Sequence, residues 1–253
     1  MTRTGMANTQ LFSSVAREYA NFRPGYPPEI FAWLASQVQR HEIVWDCGCG
    51  SGQASVALAA HFDAVIATDA SAQQIAAATP HPRVSYRVAP AEASGLDAAS
   101  ADLITVAQAL HWFDVAAFYR EARRVARPGA LLAAWTYTIP EPAEPQVRAA
   151  FDNFYRTVVG PYWPPERRHV ESRYTTLEFP TPRVAVPEFQ LSVEWPLAQL
   201  LGYVSSWSAT ARYRAATSGD PVVLLEHALA PLWGQPTRLM TVHFPLTVLA
   251  TRF

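Results

Sequence analysis

The stretch Val44-Trp45-Asp46-Cys47-Gly48-Cys49-Gly50-Ser51-Gly52 decides how this chain folds. The apolar run at 43–45 reads as a buried strand, three glycines alternate after it, and a helix-forming run covers 53–61. Strand, glycine turn and helix, in that order, open a nucleotide-binding βαβ unit. Glycine permits φ > 0 and lets a ligand lie against bare backbone. The first turn of the helix offers N–H groups to an anionic group.

The spacing of the glycines narrows the ligand. A dinucleotide fingerprint requires G-x-G-x-x-G. Here the glycines stand at 48, 50 and 52, and the position three after Gly50 is Gln53. Asp46, expected at the mouth of the loop, would repel a pyrophosphate and suit a ligand carrying positive charge. Both features speak against a nicotinamide dehydrogenase. Residues 64–68 read as the second strand, which ends in Asp69, 23 residues beyond Asp46. An acid at a strand end and about 20 residues on is placed to accept ribose hydroxyls.

Working outward, residues 8–40 read as two helices ahead of the first strand, the second opened by Pro28 in its first turn. Tyr19, Arg23 and Tyr26 cluster at their junction, either as a packed hairpin or as a lid over the ligand. Ser71-x-x-Gln74 is a capping box for the helix after strand two. Residues 84–89 read as strand three, with Pro90-Ala91-Glu92 at its end, and 101–107 as a central strand four. The run Gln108-Ala109-Leu110-His111-Trp112-Phe113-Asp114 follows, with Asp114 as an N-cap. After that helix, Arg127-Pro128-Gly129 turns the chain into strand five at 130–137. Five strands alternating with helices mean a doubly wound parallel sheet with its ligand at the carboxyl ends.

Beyond this core, residues 139–187 carry nine prolines interleaved with aromatic residues, an insertion rather than a linker. Within it lies Glu166-Arg167-Arg168-His169, with Arg173 close by and Tyr162, Trp163 and Tyr174 around it. Arginine suits bidentate capture of a carboxylate. The plain alternative is an exposed turn whose arginines pair with Glu166 and Glu171. Residues 189–195 read as a strand, 197–213 and 222–233 as helices, and 238–251 as a final strand broken at Pro245.

Composition excludes several classes. Half of the 253 residues are hydrophobic and 16% are charged, enough for one large domain with a cap. A net charge of −1 argues against a nucleic-acid-binding face. The 20 basic residues are all arginine, as a GC-rich bacterial genome would encode. No run reaches about 18 apolar residues and no leader-like segment opens the chain, so the expectation is a cytoplasmic protein without a membrane partner. Cys47 and Cys49, the two cysteines, are too few for a zinc site. They are poorly spaced for a disulfide, and no metal is expected.

The D-x-G-x-G-x-G pattern over residues 46–52 resembles the first motif of class I S-adenosylmethionine (SAM) methyltransferases. Three further motifs resemble the trans-aconitate methyltransferase-like branch, also described as methyltransferase type 11. They are Tyr19-x-x-x-Arg23-Pro24-x-Tyr26-Pro27, Gln108-Ala109-x-His111-Trp112-Phe113-Asp114, and Tyr203-x-x-x-Trp207-Ser208-Ala209. The resemblance implies a Rossmann-like, mostly parallel, seven-stranded sheet in one methyltransferase domain. It divides into a lid at 8–40, a SAM-binding core at 41–138, a substrate-side insertion at 139–187 and a sheet-completing segment at 188–253. It implies cofactor contacts at Tyr19, Arg23, Asp46, Gly48, Gly50, Gly52, Asp69, Ala91, Glu92, Gln108, His111 and Trp112. The adenine would lie at Ala91 and Glu92, and Glu92 reads equally well as a surface acid. Cys47 and Cys49 depart from the pattern and are read as small packing groups.

A carboxylate acceptor is already ionised at neutral pH and needs no general base. A phenol, amine or carbon acid would need one. His111 is then the candidate catalytic residue, against the simpler role of shaping the pocket beside Trp112. The leading expectation is O-methylation of an organic acid, with Arg167, Arg168, Arg173 and Trp207 holding the substrate. The alternatives are a C- or O-methyltransferase of a quinone or secondary metabolite, and a SAM-binding protein without activity.

Overall fold

The protein is described by a computed structural model over residues 22–180 and 182–253. The first expected N-terminal helix, and Tyr19 with it, lies outside the described residues. The second is α1, Pro28–Ser36, which has proline in its first turn and buries Ile30, Phe31 and Leu34. Proline costs nothing there because the missing N–H would have no intrahelical partner.

Strand β1, Ile43–Cys47, is buried from Val44 onward. It pairs in parallel with β2, Ala64–Asp69, on one side and with β4, Ala101–Ala107, on the other. A strand covered on both faces needs a continuous apolar run rather than alternation, which is why 43–45 and 101–107 are so legible. The buried Trp45 indole also donates to Thr68 Oγ1 (2.9 Å), tying β1 to β2. Strand β3, Val84–Val88, flanks β2, and β5, Ala126–Tyr137, flanks β4. Helices α2, Gln53–Leu58, α3, Ala72–Ala76, and α4, Val115–Val125, connect them. The two predicted caps form: Ser71 Oγ accepts from Gln74 N–H, and Asp114 Oδ1 from Ala117 N–H at 3.0 Å.

The main sheet has six strands in the order β3-β2-β1-β4-β5-β9, not the expected seven. Strand β9, Leu246–Arg252, runs antiparallel to β5. The strand read at 189–195 is β7, Leu191–Trp195, and it does not complete this sheet. It pairs with β8, Met240–Phe244, which pairs in turn with β6, Glu141–Pro142, in a separate antiparallel sheet. Pro245 is the reason. It has no N–H to donate and a fixed φ, so the terminal run splits into β8 in one sheet and β9 in the other.

The cap has its own core. Helix α5, Pro145–Asn153, continues into a π-helical turn at Phe154–Val158. These pack with α7, Leu197–Ser205, α8, Ser208–Thr217, α9, Pro221–Trp233, and the small sheet. Phe151, Leu200, Tyr203, Leu225, Trp233 and Phe244 are buried together in it. The helix read over 197–213 is broken at Trp207, where ψ is 143°. Ser206 and Thr210 hydroxyls donate to the Tyr203 and Val204 carbonyls (2.6 and 2.7 Å) at that break. Such hydroxyl-to-backbone bonds compete with helix continuation.

Candidate functional site

Strand order reverses between β1 and β4, and ligands of doubly wound sheets bind at that switch point, beyond the carboxyl ends. The glycine loop lies there. Gly48, Gly50 and Gly52 all have positive φ (70°, 55° and 87°). Their surroundings differ. A Cβ on Gly48 would meet Ala109 Cβ at 2.5 Å, and one on Gly52 would meet the Tyr86 hydroxyl at 2.1 Å. A Cβ on Gly50 would find only Gln74 Oε1, at 3.8 Å. Gly48 and Gly52 therefore serve packing, and Gly50 is the glycine that offers bare backbone to a ligand.

Asp69 folds the loop. Its Oδ2 accepts from Gly50 N–H (2.9 Å) and its Oδ1 from Ser71 N–H (2.8 Å). Burial raises its carboxyl pKa, and those two backbone bonds pull it back. Each oxygen keeps a second lone pair, which fits two ribose hydroxyls. Asp46 is not at the mouth of the loop as expected: it is fully buried beneath it. Its oxygens accept from Ser55 Oγ (2.6 Å) and Thr105 Oγ1 (2.8 Å). In β1 the side chain at 46 faces Ser55 of α2 and Thr105 of β4. Burial pushes its pKa up to about 6, against the two hydroxyl bonds, and nearby Asp69 adds to the rise.

Cys47 and Cys49 are buried free thiols with raised pKa values, chiefly through burial. Ala91 is buried among core residues. Glu92 Oε1 accepts from Asp114 N–H (2.9 Å), so this acid holds the start of α4.

A second compartment lies between the main sheet and the cap. It is a cavity of about 50 Å³. The ends of β4 and β5 contribute Gln108, His111 and Tyr137, and the cap contributes Trp163, Tyr203 and Trp207. Arg23, Trp112 and Arg167 also line it. Arg23 Nη1 donates to the Tyr137 hydroxyl (3.3 Å), and its guanidinium lies over the Tyr203 ring. Arg167 opens the short helix α6, Arg167–Glu171. Its guanidinium stacks on Trp163, 4.4 Å from the ring centroid, and its Nε donates to the Tyr155 hydroxyl (3.1 Å). Tyr155 donates onward to Glu171 Oε1 (2.5 Å).

Of the three arginines predicted to hold substrate, only Arg167 lines the cavity; Arg168 and Arg173 are exposed. Successive helical residues point about 100° apart, so neighbours in sequence cannot share one target. Arg23, Gln108, His111 and Trp112, expected at the cofactor, line this one cavity together with Trp207, expected at the substrate.

Gln108 has a left-handed backbone (φ 56°), and its side chain bridges Thr136 Oγ1 (2.5 Å) and the Tyr137 carbonyl (3.1 Å). His111 is held neutral: burial, then Arg167, His169 and Arg23, lower its pKa to about 3. The sequence reading missed Tyr137 and the Tyr155–Glu171 pair. Tyr137 and Tyr155 come from elements apart from α6 in sequence, and Glu171, read as an exposed partner for the arginines, meets Tyr155 instead.

A family model described as a methyltransferase domain matches residues 45–134. A Dictyostelium discoideum protein assigned as a methyltransferase is 32% identical over 248 residues, covering 95% of this chain and 94% of that one. The chain belongs to the methyltransferases. A solved structure from Anaeromyxobacter dehalogenans, assigned as a type II methyltransferase, is 46% identical with a TM-score of 0.84. It covers 91% of this chain and 98% of that one. The cyclase SpnF, 15% identical over 98% of this chain and 96% of its own with a TM-score of 0.53, shares the fold alone.

The cofactor of this methyltransferase is S-adenosyl-L-methionine. The loop fits it: open backbone at Gly50, and an Asp69 carboxylate with lone pairs to spare. Bound there, it supplies an electrophilic methyl on a positively charged sulfur. Among the described residues there is no cluster suited to a metal and no helix long and apolar enough to cross a membrane.

Proposed function

We propose that this methyltransferase O-methylates the carboxylate of a small organic acid, as the resemblance to the trans-aconitate methyltransferase-like branch suggests. One observation carries the reading: Arg23 and Arg167 stand on the wall of the same small cavity. Among the described residues no carboxylate forms an ion pair with Arg167. Two guanidiniums beside aromatic walls suit an anionic group on a flat or apolar body.

The residues then divide the work. Arg167, with its Nε held by Tyr155, presents its remaining N–H groups to a carboxylate. Trp163, Tyr203 and Trp207 exclude water. Alignment of a nucleophile with the methyl can contribute up to about 7–11 kcal/mol. An ionised carboxylate needs no base, which matches a His111 that stays neutral at physiological pH and accepts a proton poorly. A quinol or phenol would have to lose a proton to that ring. The proposed setting is cytoplasmic, with a small-molecule partner and neither nucleic acid nor membrane.

The test is a screen of small acids, phenols and quinols for release of S-adenosylhomocysteine. The best acceptor should carry a carboxylate. For that acid, Arg167→Ala should lower kcat/KM by about 1.5–3 kcal/mol, the worth of a charged hydrogen bond. Arg168→Ala should behave as wild type. A best acceptor without an acidic group overturns the reading.

A further inference from the structure

Helix α6 ends in an unusual way. Tyr174 N–H donates to His169 O (2.7 Å) and Arg173 N–H to Val170 O (2.9 Å). That pair of bonds is the Schellman arrangement, in which the residue after the helix is left-handed and usually glycine. Here Arg173 and Tyr174 both occupy that region, with φ of 54° and 61°. A side-chain-bearing residue pays about 1–2 kcal/mol there, and strained backbone of this kind concentrates at functional sites.

The effect of the double turn is to send neighbouring side chains in opposite directions. Arg173 is exposed and Tyr174 is fully buried. The Tyr174 hydroxyl ends 3.1 Å from His111 Nδ1. Burial raises the pKa of that hydroxyl, against the Thr136 side chain and the backbone at His111 and Leu110, so it keeps its proton. A hydroxyl that keeps its proton can donate it, and His111 Nδ1 is the acceptor that its geometry reaches.

We propose that Tyr174 is a positioning residue for methyl transfer. By donating to Nδ1 it fixes His111 as the Nε2–H tautomer, a neutral donor to the acceptor oxygen of a molecule in the cavity. A neutral imidazole has one N–H and one bare nitrogen, so the partner of one nitrogen dictates what the other offers. The low basicity of His111 agrees with this, since a ring that stays neutral keeps the assignment throughout the working pH range. The inference rests on the cavity being the acceptor site. It does not require the acceptor to be a carboxylate.

Nitrogen-15 NMR of histidine-labelled protein tests it without any substrate. Comparison with His111→Gln assigns the resonances among the seven histidines. Wild-type His111 should show a protonated Nε2 and a bare Nδ1. In Tyr174→Phe, which removes only the hydroxyl, the two shifts should move toward each other as the tautomers mix. A protonated Nδ1 in the wild type overturns the proposal, even if the variant does not fold. So does an unchanged tautomer in a folded Tyr174→Phe. With the best acceptor from the screen, Tyr174→Phe should lower kcat roughly tenfold and leave S-adenosylhomocysteine affinity unchanged. Adding His111→Gln to it should cost less than the product of the two single losses. Failure of the carboxylate reading would appear in the choice of acceptor, and failure of this one in the tautomer.

Discussion

At the scale of single residues, Asp46 combines full burial with ionisable chemistry. Its folded pKa of about 6 exceeds the value near 3.8 of an exposed aspartate. The folded state therefore holds the proton more tightly than the unfolded one. The associated stability is fully present below pH 3.8 and is lost as pH rises through 6, by on the order of 3 kcal/mol at neutral pH. A positively charged ligand over the loop would offset part of that loss. Asp46→Asn should accordingly raise the thermal midpoint of the ligand-free protein more at pH 8 than at pH 5, while weakening SAM binding. Scanning fluorimetry at the two pH values, with and without S-adenosylhomocysteine, checks both halves. A variant less stable than wild type at pH 8 would show that the Ser55 and Thr105 bonds outweigh burial.

At the scale of elements, the segment from Trp163 to Tyr174 does more than its length suggests. Helix α6 places Arg167 on the cavity at its start, and the turn at its end places Tyr174 beneath His111. The cost sits at Arg173, whose exposed side chain gains nothing visible from the left-handed backbone. Arg173→Gly should relieve that cost. The strain of about 1–2 kcal/mol exceeds the extra entropy glycine loses on folding, roughly 0.5–1 kcal/mol. A net gain of about 0.5–1 kcal/mol, read as a higher urea midpoint with an unchanged m-value, is the expected outcome. The same α6 geometry explains why three nearby arginines in sequence do not make one binding cluster.

At the scale of the whole molecule, the sheet is tied at one end and functional at the other. Asp102, 4% exposed at the start of β4, accepts from the backbone N–H groups of Glu42 and Ile43 (2.9 and 3.0 Å). It also pairs with Arg127 at 2.7 Å, so one carboxylate joins the starts of β1, β4 and β5. Asp102→Ala would strand two N–H groups and leave Arg127 with Glu42 as its remaining carboxylate, costing on the order of 3 kcal/mol. Because the glycine loop and the cavity lie at the opposite ends of these strands, SAM affinity in the folded variant should match wild type. Chemical denaturation with parallel calorimetry checks both. The cavity proposed to hold the acceptor lies where the cap's core meets the main sheet.

The chain by itself determined the βαβ core, and the reason is local. Fully covered parallel strands must be continuously apolar, glycine is favoured where φ is positive, and Ser71 and Asp114 cap helices through N–H groups three residues away. Asp69 was legible for the same reason, being a strand-end acid at a readable spacing. Tertiary structure alone decided the rest. That β7 and β8 leave the main sheet depends on which partner each finds after Pro245 breaks the run. Asp46 faces inward because β1 presents it to Ser55 and Thr105, residues 9 and 59 positions away. The cavity draws Arg23, His111, Tyr137, Arg167 and Tyr203 from five separate stretches. No periodicity or spacing joins such residues, because their common neighbourhood is set by how the cap packs on the sheet.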